Sequence, residues 1–242
     1  MSNVKEKLIV ALDVPNMDEA EVLIEKLAPY VGAFKIGMQL FYSEGHRVIA
    51  MATGKGSQVF LDLKMHDIPN TVARACDALV LPGVFMFNVH ATGGFEMLRQ
   101  AAHATRERAK DVGLPKPILL AVTVLTSMDA QTLNSINVSV TPEEQVVHLA
   151  RLVQQAGLDG VVASPQEIKK IRAACGPDFV ILTPGIRPSG ADANDQKRTA
   201  TPGQAVQDGA DYLVIGRPIT AAPDPVAAAK AILAEMEEAY AN

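Results

Sequence analysis

Short apolar runs rich in β-branched residues alternate along the chain with stretches whose apolar positions recur every three to four residues. A rotation between a period of two and a period of 3.6 predicts βαβ units and a parallel sheet. Strands are expected at 8–13, 33–37, 58–64, 84–90, 118–125, 160–163, 179–183 and 212–216. Helices are expected at 17–27, 43–51, 70–79, 94–110, 142–156, 166–174, 202–208 and 225–238. Eight of each in 242 residues match one closed (β/α)8 TIM barrel, a single α/β domain over 1–242. An open doubly wound sheet would carry a glycine-rich turn after its first strand, where this chain has Asp13-Val14-Pro15-Asn16. The stretch 185–201, long and polar, falls after the seventh strand and is expected to be a lid on the catalytic face.

Composition narrows the possibilities. With 48% hydrophobic and 20% charged residues the chain has the make-up of a globular protein. Residues 1–7 are polar, and the apolar run after them is broken by Asp13 and Pro15, too short for a signal peptide. No stretch approaches the roughly 20 apolar residues that cross a bilayer, so a cytoplasmic protein without a membrane partner is expected. A net charge of −5 with no basic stripe argues against nucleic acid. Cys76 and Cys175 both fall on expected helices and form no CxxC pair, which suggests buried thiols rather than a disulfide or a zinc site.

In such a barrel, chemistry is carried at the C-terminal ends of strands. The third strand ends Asp62-Leu63-Lys64-Met65-His66-Asp67. Strand alternation puts Asp62 and Lys64 on one face and Leu61 and Leu63 on the other, against the helices. Lys35 on the second strand and Asp13 on the first have the same placement, so four ionisable groups from three consecutive strands converge on one mouth. Low dielectric makes each charge costly there unless compensated. A plain ion-pair network fixing the barrel is the structural alternative for any one of them; four together favour function. His90 and Asn88, on one face of the fourth strand, suit hydrogen-bonding support rather than catalysis. Pro69 suits the first position of a helix, and Phe85, Phe87 and Phe95 suit packing.

The segment Asp62-Leu63-Lys64-Met65-His66-Asp67-Ile68-Pro69-Asn70-Thr71 resembles the signature of orotidine 5′-phosphate decarboxylases of the bacterial type. Val10-Ala11-Leu12-Asp13, Phe34-Lys35-Ile36-Gly37, Thr123-Val124-Leu125-Thr126-Ser127, Thr183-Pro184-Gly185-Ile186-Arg187-Pro188 and Ile215-Gly216-Arg217-Pro218-Ile219-Thr220 follow that family's order from the first strand to the eighth. The resemblance implies decarboxylation of orotidine 5′-monophosphate (OMP) to UMP, the last step of de novo UMP synthesis, with no cofactor and no metal. It implies that Lys64 protonates the pyrimidine C6 and that Lys35, Asp62 and Asp67 complete a Lys-Asp-Lys-Asp network. It also implies a homodimer in which Asp67, Ile68 and Thr71 reach the neighbouring site. Arg187, Arg217, the amides near Gly216, and Gln196 from the long loop would hold the phosphate. Asp13 and Lys35 would meet the ribose, and Thr126, with Ser127 beside it, the base or its sugar.

The chemistry agrees with that assignment, because CO2 loss leaves a carbanion in the ring plane and a cation must stand where that charge develops. Two rivals remain at this level. Related barrels use an Asp-x-Lys-x-x-Asp motif to bind Mg2+ and stabilise an enediolate from a sugar phosphate, but Lys35 here would repel the metal. A non-catalytic phosphate-binding barrel is compatible with the fold, yet has no need of Lys64 beside Asp62.

Overall fold

The computed structural model describes residues 4–188 and 199–241. Eight strands, β1 (Leu8–Leu12), β2 (Ala33–Gly37), β3 (Gln58–Met65), β4 (Val84–His90), β5 (Ile118–Val122), β6 (Gly160–Val162), β7 (Val180–Thr183) and β8 (Tyr212–Ile215), pair in parallel and in chain order into a closed barrel. Closure is made by β8 on β1, with Ile9 opposite Val214. Strands buried on both faces need apolar residues at every position, and all five residues of β1 are buried. One face fills the lumen, where Ile9, Ala11, Ala33, Phe60, Met86, Leu120, Leu182 and Val214 form an inner core. The other face packs under the helices in a larger core containing Leu8, Val10, Phe34, Leu61 and Phe87.

The helices are α1 (Met17–Leu27), α2 (Met38–Glu44), α3 (His46–Gly54), α4 (Pro69–Leu79), α5 (Gly94–Asp111), α6 (Ala130–Ser135), α7 (Pro142–Gln155), α8 (Ile168–Cys175), α9 (Pro202–Gln207), α10 (Arg217–Thr220) and α11 (Pro225–Ala241). Local chemistry sets their starts. Asn16 accepts the Glu19 N–H to cap α1, and Thr141 and Glu144 form a capping box on α7. Pro69 occupies the first turn of α4 as expected, and Cys76 and Cys175 are buried, free thiols on α4 and α8. Burial pushes the Cys76 thiol up to about 12, which leaves it inert.

Three expectations are corrected. The helix expected at 43–51 is two helices, because Gly45 takes φ +60 and ψ −147, a conformation that breaks the ladder. The helix expected at 166–174 begins as a 3-10 turn, Pro165–Glu167, and becomes α-helical only at Ile168. Phe95 does not pack inside; it is 44% exposed near the start of α5. Strands β1, β5, β6 and β8 also end earlier than their apolar runs, although past β5 and β6 the Thr123 N–H still donates to the Val162 carbonyl at 3.2 Å and the Ala163 N–H to the Leu182 carbonyl at 3.1 Å.

Candidate active site

The row of charge at the barrel mouth is continuous. Lys35 Nζ donates to Asp13 Oδ1 at 3.1 Å and lies 3.3 Å from Asp62 Oδ2, while Lys64 Nζ donates to Asp62 Oδ1 at 2.6 Å. Lys35 pairs in register with Ala11 on one side and Phe60 on the other, both residues of the lumen, so its side chain enters from the inner face. Gly37, two residues on, leaves the space clear: a Cβ there would sit 3.0 Å from Lys35 Nζ.

The charges hold each other ionised. Burial disfavours the Lys35 ammonium, but the Asp62 and Asp13 carboxylates outweigh it and hold the amine above its ordinary value. Burial likewise pushes the Asp62 carboxyl up, and the Lys35 and Lys64 charges with hydrogen bonds from Lys64 and Asn88 more than reverse it. Asp62 is therefore an anion and Lys35 a cation at neutral pH, in a row that alternates two acidic with two basic side chains. His90, whose ring lies 5.6 Å from that of His66, is pulled below the ordinary histidine range by burial and then by the His66 and Lys64 charges, which leaves it uncharged at pH 7.

A cavity of about 250 Å³ opens over this row. Asp13, Lys35, Asp62, Lys64, Thr126, Arg187, Gly216 and Arg217 all line it, and Phe60, Leu182 and Val214, the top of the inner core, contribute its apolar lining. Arg187 and Arg217 stand close enough that Arg187 is held below its ordinary pKa by burial and then by the Arg217 charge. The polar segment between β7 and α9 is tied at both ends, where Ile186 bridges Ala200 and the Arg187 N–H donates to the Ala200 carbonyl at 2.9 Å. Such a cavity accepts an anion at the Arg187–Arg217 end and a polar group with developing negative charge beside Lys64.

Other expected site residues lie elsewhere. Asp67 is exposed, with its Oδ1 accepting the Ile68 N–H at 2.6 Å, so it takes no part in the row within its own chain. Ile68 is 67% exposed, and Thr71 is exposed on α4. Ser127 is exposed beside Thr126 and is not among the lining residues. Gln196 lies outside the described residues. The apolar lining was not singled out from sequence, although its signal was present in the inward period of β3, β7 and β8. Helix α10, directly after Gly216, was also unforeseen, being a single turn. Among the described residues, no group of three or more His, Cys, Asp or Glu could hold a metal ion, and no helix is long and apolar enough to cross a membrane.

Known proteins resemble the chain over nearly its whole length. The model of the orotidine 5′-phosphate decarboxylase / HUMPS family matches residues 6–232. The orotidine 5′-phosphate decarboxylase of Moorella thermoacetica is 56% identical over 234 residues, 96% of this chain and 93% of that one. That of Syntrophomonas wolfei is 52% identical, covering 97% of this chain and 99% of its own. The crystal structure of orotidine 5′-phosphate decarboxylase from Lactobacillus acidophilus superposes with a TM-score of 0.83 at 42% identity, covering 95% of this chain and 98% of that one. The chain belongs to the orotidine 5′-phosphate decarboxylase family.

Proposed function

We propose that the charged row carries the activity of the family: the chain is a carboxy-lyase that converts OMP to UMP and CO2 in pyrimidine biosynthesis, and it does so directly, with Lys64 as the proton donor. The observation behind the direct course is an ammonium, Lys64 Nζ, held 2.6 Å from the half-buried Asp62 carboxylate inside a cavity whose other end carries two guanidiniums. The phosphate sits between Arg187 and Arg217, with the backbone near Gly216 adding donors, because planar guanidinium forks match phosphate oxygens. Asp13 and Lys35 hold the ribose hydroxyls, and Thr126 meets the base or its sugar.

That pose sets the substrate carboxylate beside Asp62, a second anion against the one already there. The C6–carboxylate bond breaks with its electron pair left on C6, and CO2 departs neutral. Repulsion from Asp62 ends at that moment, while the attraction of Lys64 for the new carbanion is greatest. Lys64 then gives its proton to C6 and regains one from solvent. No step calls on a metal or an organic cofactor. Loss of OMP absorbance is expected to proceed at the same rate with and without EDTA. Strict dependence on Mg2+ would instead move the chain to the enediolate-forming lyases.

The working unit is a homodimer in the cytoplasm, with no nucleic acid or membrane partner. Asp67, Ile68 and Thr71 follow the catalytic strand directly yet stay outside their own cavity, and an isoleucine 67% exposed gains most by being covered by a second copy. Mixing inactive Lys64→Ala and inactive Asp67→Ala proteins is expected to restore activity, because a mixed dimer keeps one site with both residues intact. Random exchange makes half of the dimers mixed, so recovery should approach about a quarter of wild type under two-fold symmetry. No recovery after complete subunit exchange would place Asp67 in its own chain's site.

A further inference from the structure

Lys64 is held by an unusual backbone, and the source of the restraint is a side chain on the neighbouring strand. Strand β3 pairs with β4 through Leu61 opposite Phe87, and the pairing resumes only at Met65 opposite Val89. Between those two rungs β3 supplies Asp62, Leu63 and Lys64, while β4 supplies Asn88 alone. The surplus residues form a bulge, and a bulge beside a site re-aims side chains that simple alternation would fix. Within it Lys64 takes φ +50, one of two non-glycine residues with positive φ among the described residues. Left-handed backbone is disfavoured at a lysine and persists only where its surroundings enforce it.

Asn88 is fully buried, and both ends of its amide are committed to this bulge. Its Oδ1 accepts the Lys64 backbone N–H at 2.8 Å, replacing the ladder carbonyl that the bulge removes. Its Nδ2 donates to Asp62 Oδ1 at 2.8 Å, the same oxygen that takes the Lys64 ammonium, which leaves Oδ2 turned to Lys35. The amide can sit only this way round, because the flipped form would oppose two acceptors at Asp62 and two donors at Lys64.

We infer that Asn88 is a positioning residue for decarboxylation: by clamping the Lys64 peptide and the Asp62 carboxylate with one amide, it sets where the Lys64 ammonium stands relative to C6. The inference rests on the role proposed above for Lys64. Removing the amide leaves the Lys64 N–H unsatisfied in a conformation the residue disfavours, so the bulge relaxes and the ammonium moves. The phosphate and ribose contacts belong to other strands and stay in place.

Asn88→Ala should therefore lower kcat for OMP by about 10–100-fold, the cost of displacing a reacting group by about an ångström, with KM within about threefold of wild type. Asn88→Asp, of nearly the same volume, keeps the acceptor for Lys64 but sets a second carboxylate against Asp62, and its kcat should fall at least as far. It carries the test alone if the alanine variant does not fold. In a Lys64→Ala background, replacement of Asn88 should cost less than about threefold further, because its effect runs through a group already gone. A kcat near wild type for the folded variants would overturn the inference. So would an equal loss with and without Lys64, or a rise in KM with kcat unchanged. Turnover near wild type in Lys64→Ala itself would instead overturn the assignment of Lys64.

Discussion

Lys64→Ala is expected to lower kcat for OMP by about four orders of magnitude or more while the barrel stays folded. Two contributions vanish with one side chain. A positioned proton donor is worth on the order of 10²–10⁴, and a preorganised charge aimed at the developing anion on the order of 10²–10³. The fold should tolerate the change. The Lys64 side chain is 25% exposed, and Asp62 keeps Lys35 at 3.3 Å and the Asn88 amide at 2.8 Å as partners. Alanine also retains the Cβ, so the left-handed backbone is no more strained than in the wild type. Far-ultraviolet circular dichroism and the melting temperature should stay close to wild type while UMP formation falls by that factor. Near-normal turnover in a folded variant would refute the assignment, and a collapsed fold would make the lysine structural.

The barrel was legible because a parallel strand is buried on both faces, and eight short apolar runs separated by amphipathic stretches leave few other ways to cover them. Shorter features escaped. Leu40, Phe41, Val48 and Ile49 keep an apolar rhythm across Gly45, so the break between α2 and α3 lies in one residue's dihedrals and not in the pattern. Helices α6 and α10, of six and four residues, are too short to show a period. At the site, alternation correctly put Asp62 beside Lys64, but by a route it could not foresee. A lysine carries no mark of positive φ, so the bulge and the part played by Asn88 emerge only when β3 and β4 are laid side by side. Asp67, Ile68 and Thr71 turn away from their own cavity, and one chain gives no physical reason for their placement. Only the resemblance of the whole motif to its family suggested a second copy.

The phosphate end of the cavity yields the other large effect. Arg217→Ala is expected to lower kcat/KM for OMP by about 10²–10³, with a much smaller change for orotidine, which has the same base and ribose but no phosphate. Burial first and then the Arg217 charge hold Arg187 below its ordinary pKa, and a dianion between the two guanidiniums would relieve that repulsion and form charge-assisted bonds as well. Each such bond is worth about 1.5–3 kcal/mol. Arg217 is exposed, so solvent screening reduces the total, and a loss of about 3–4 kcal/mol corresponds to the expected range at tenfold per 1.4 kcal/mol. The comparison of substrates decides what that energy does. If phosphate binding only anchors the nucleotide, Arg217→Ala raises KM for OMP and leaves kcat alone. If it also completes the site around Lys64, kcat falls too, since binding energy gained far from C6 is then spent at C6. An equal loss with OMP and orotidine would show that Arg217 acts on the base or ribose, and the phosphate would have to be held elsewhere.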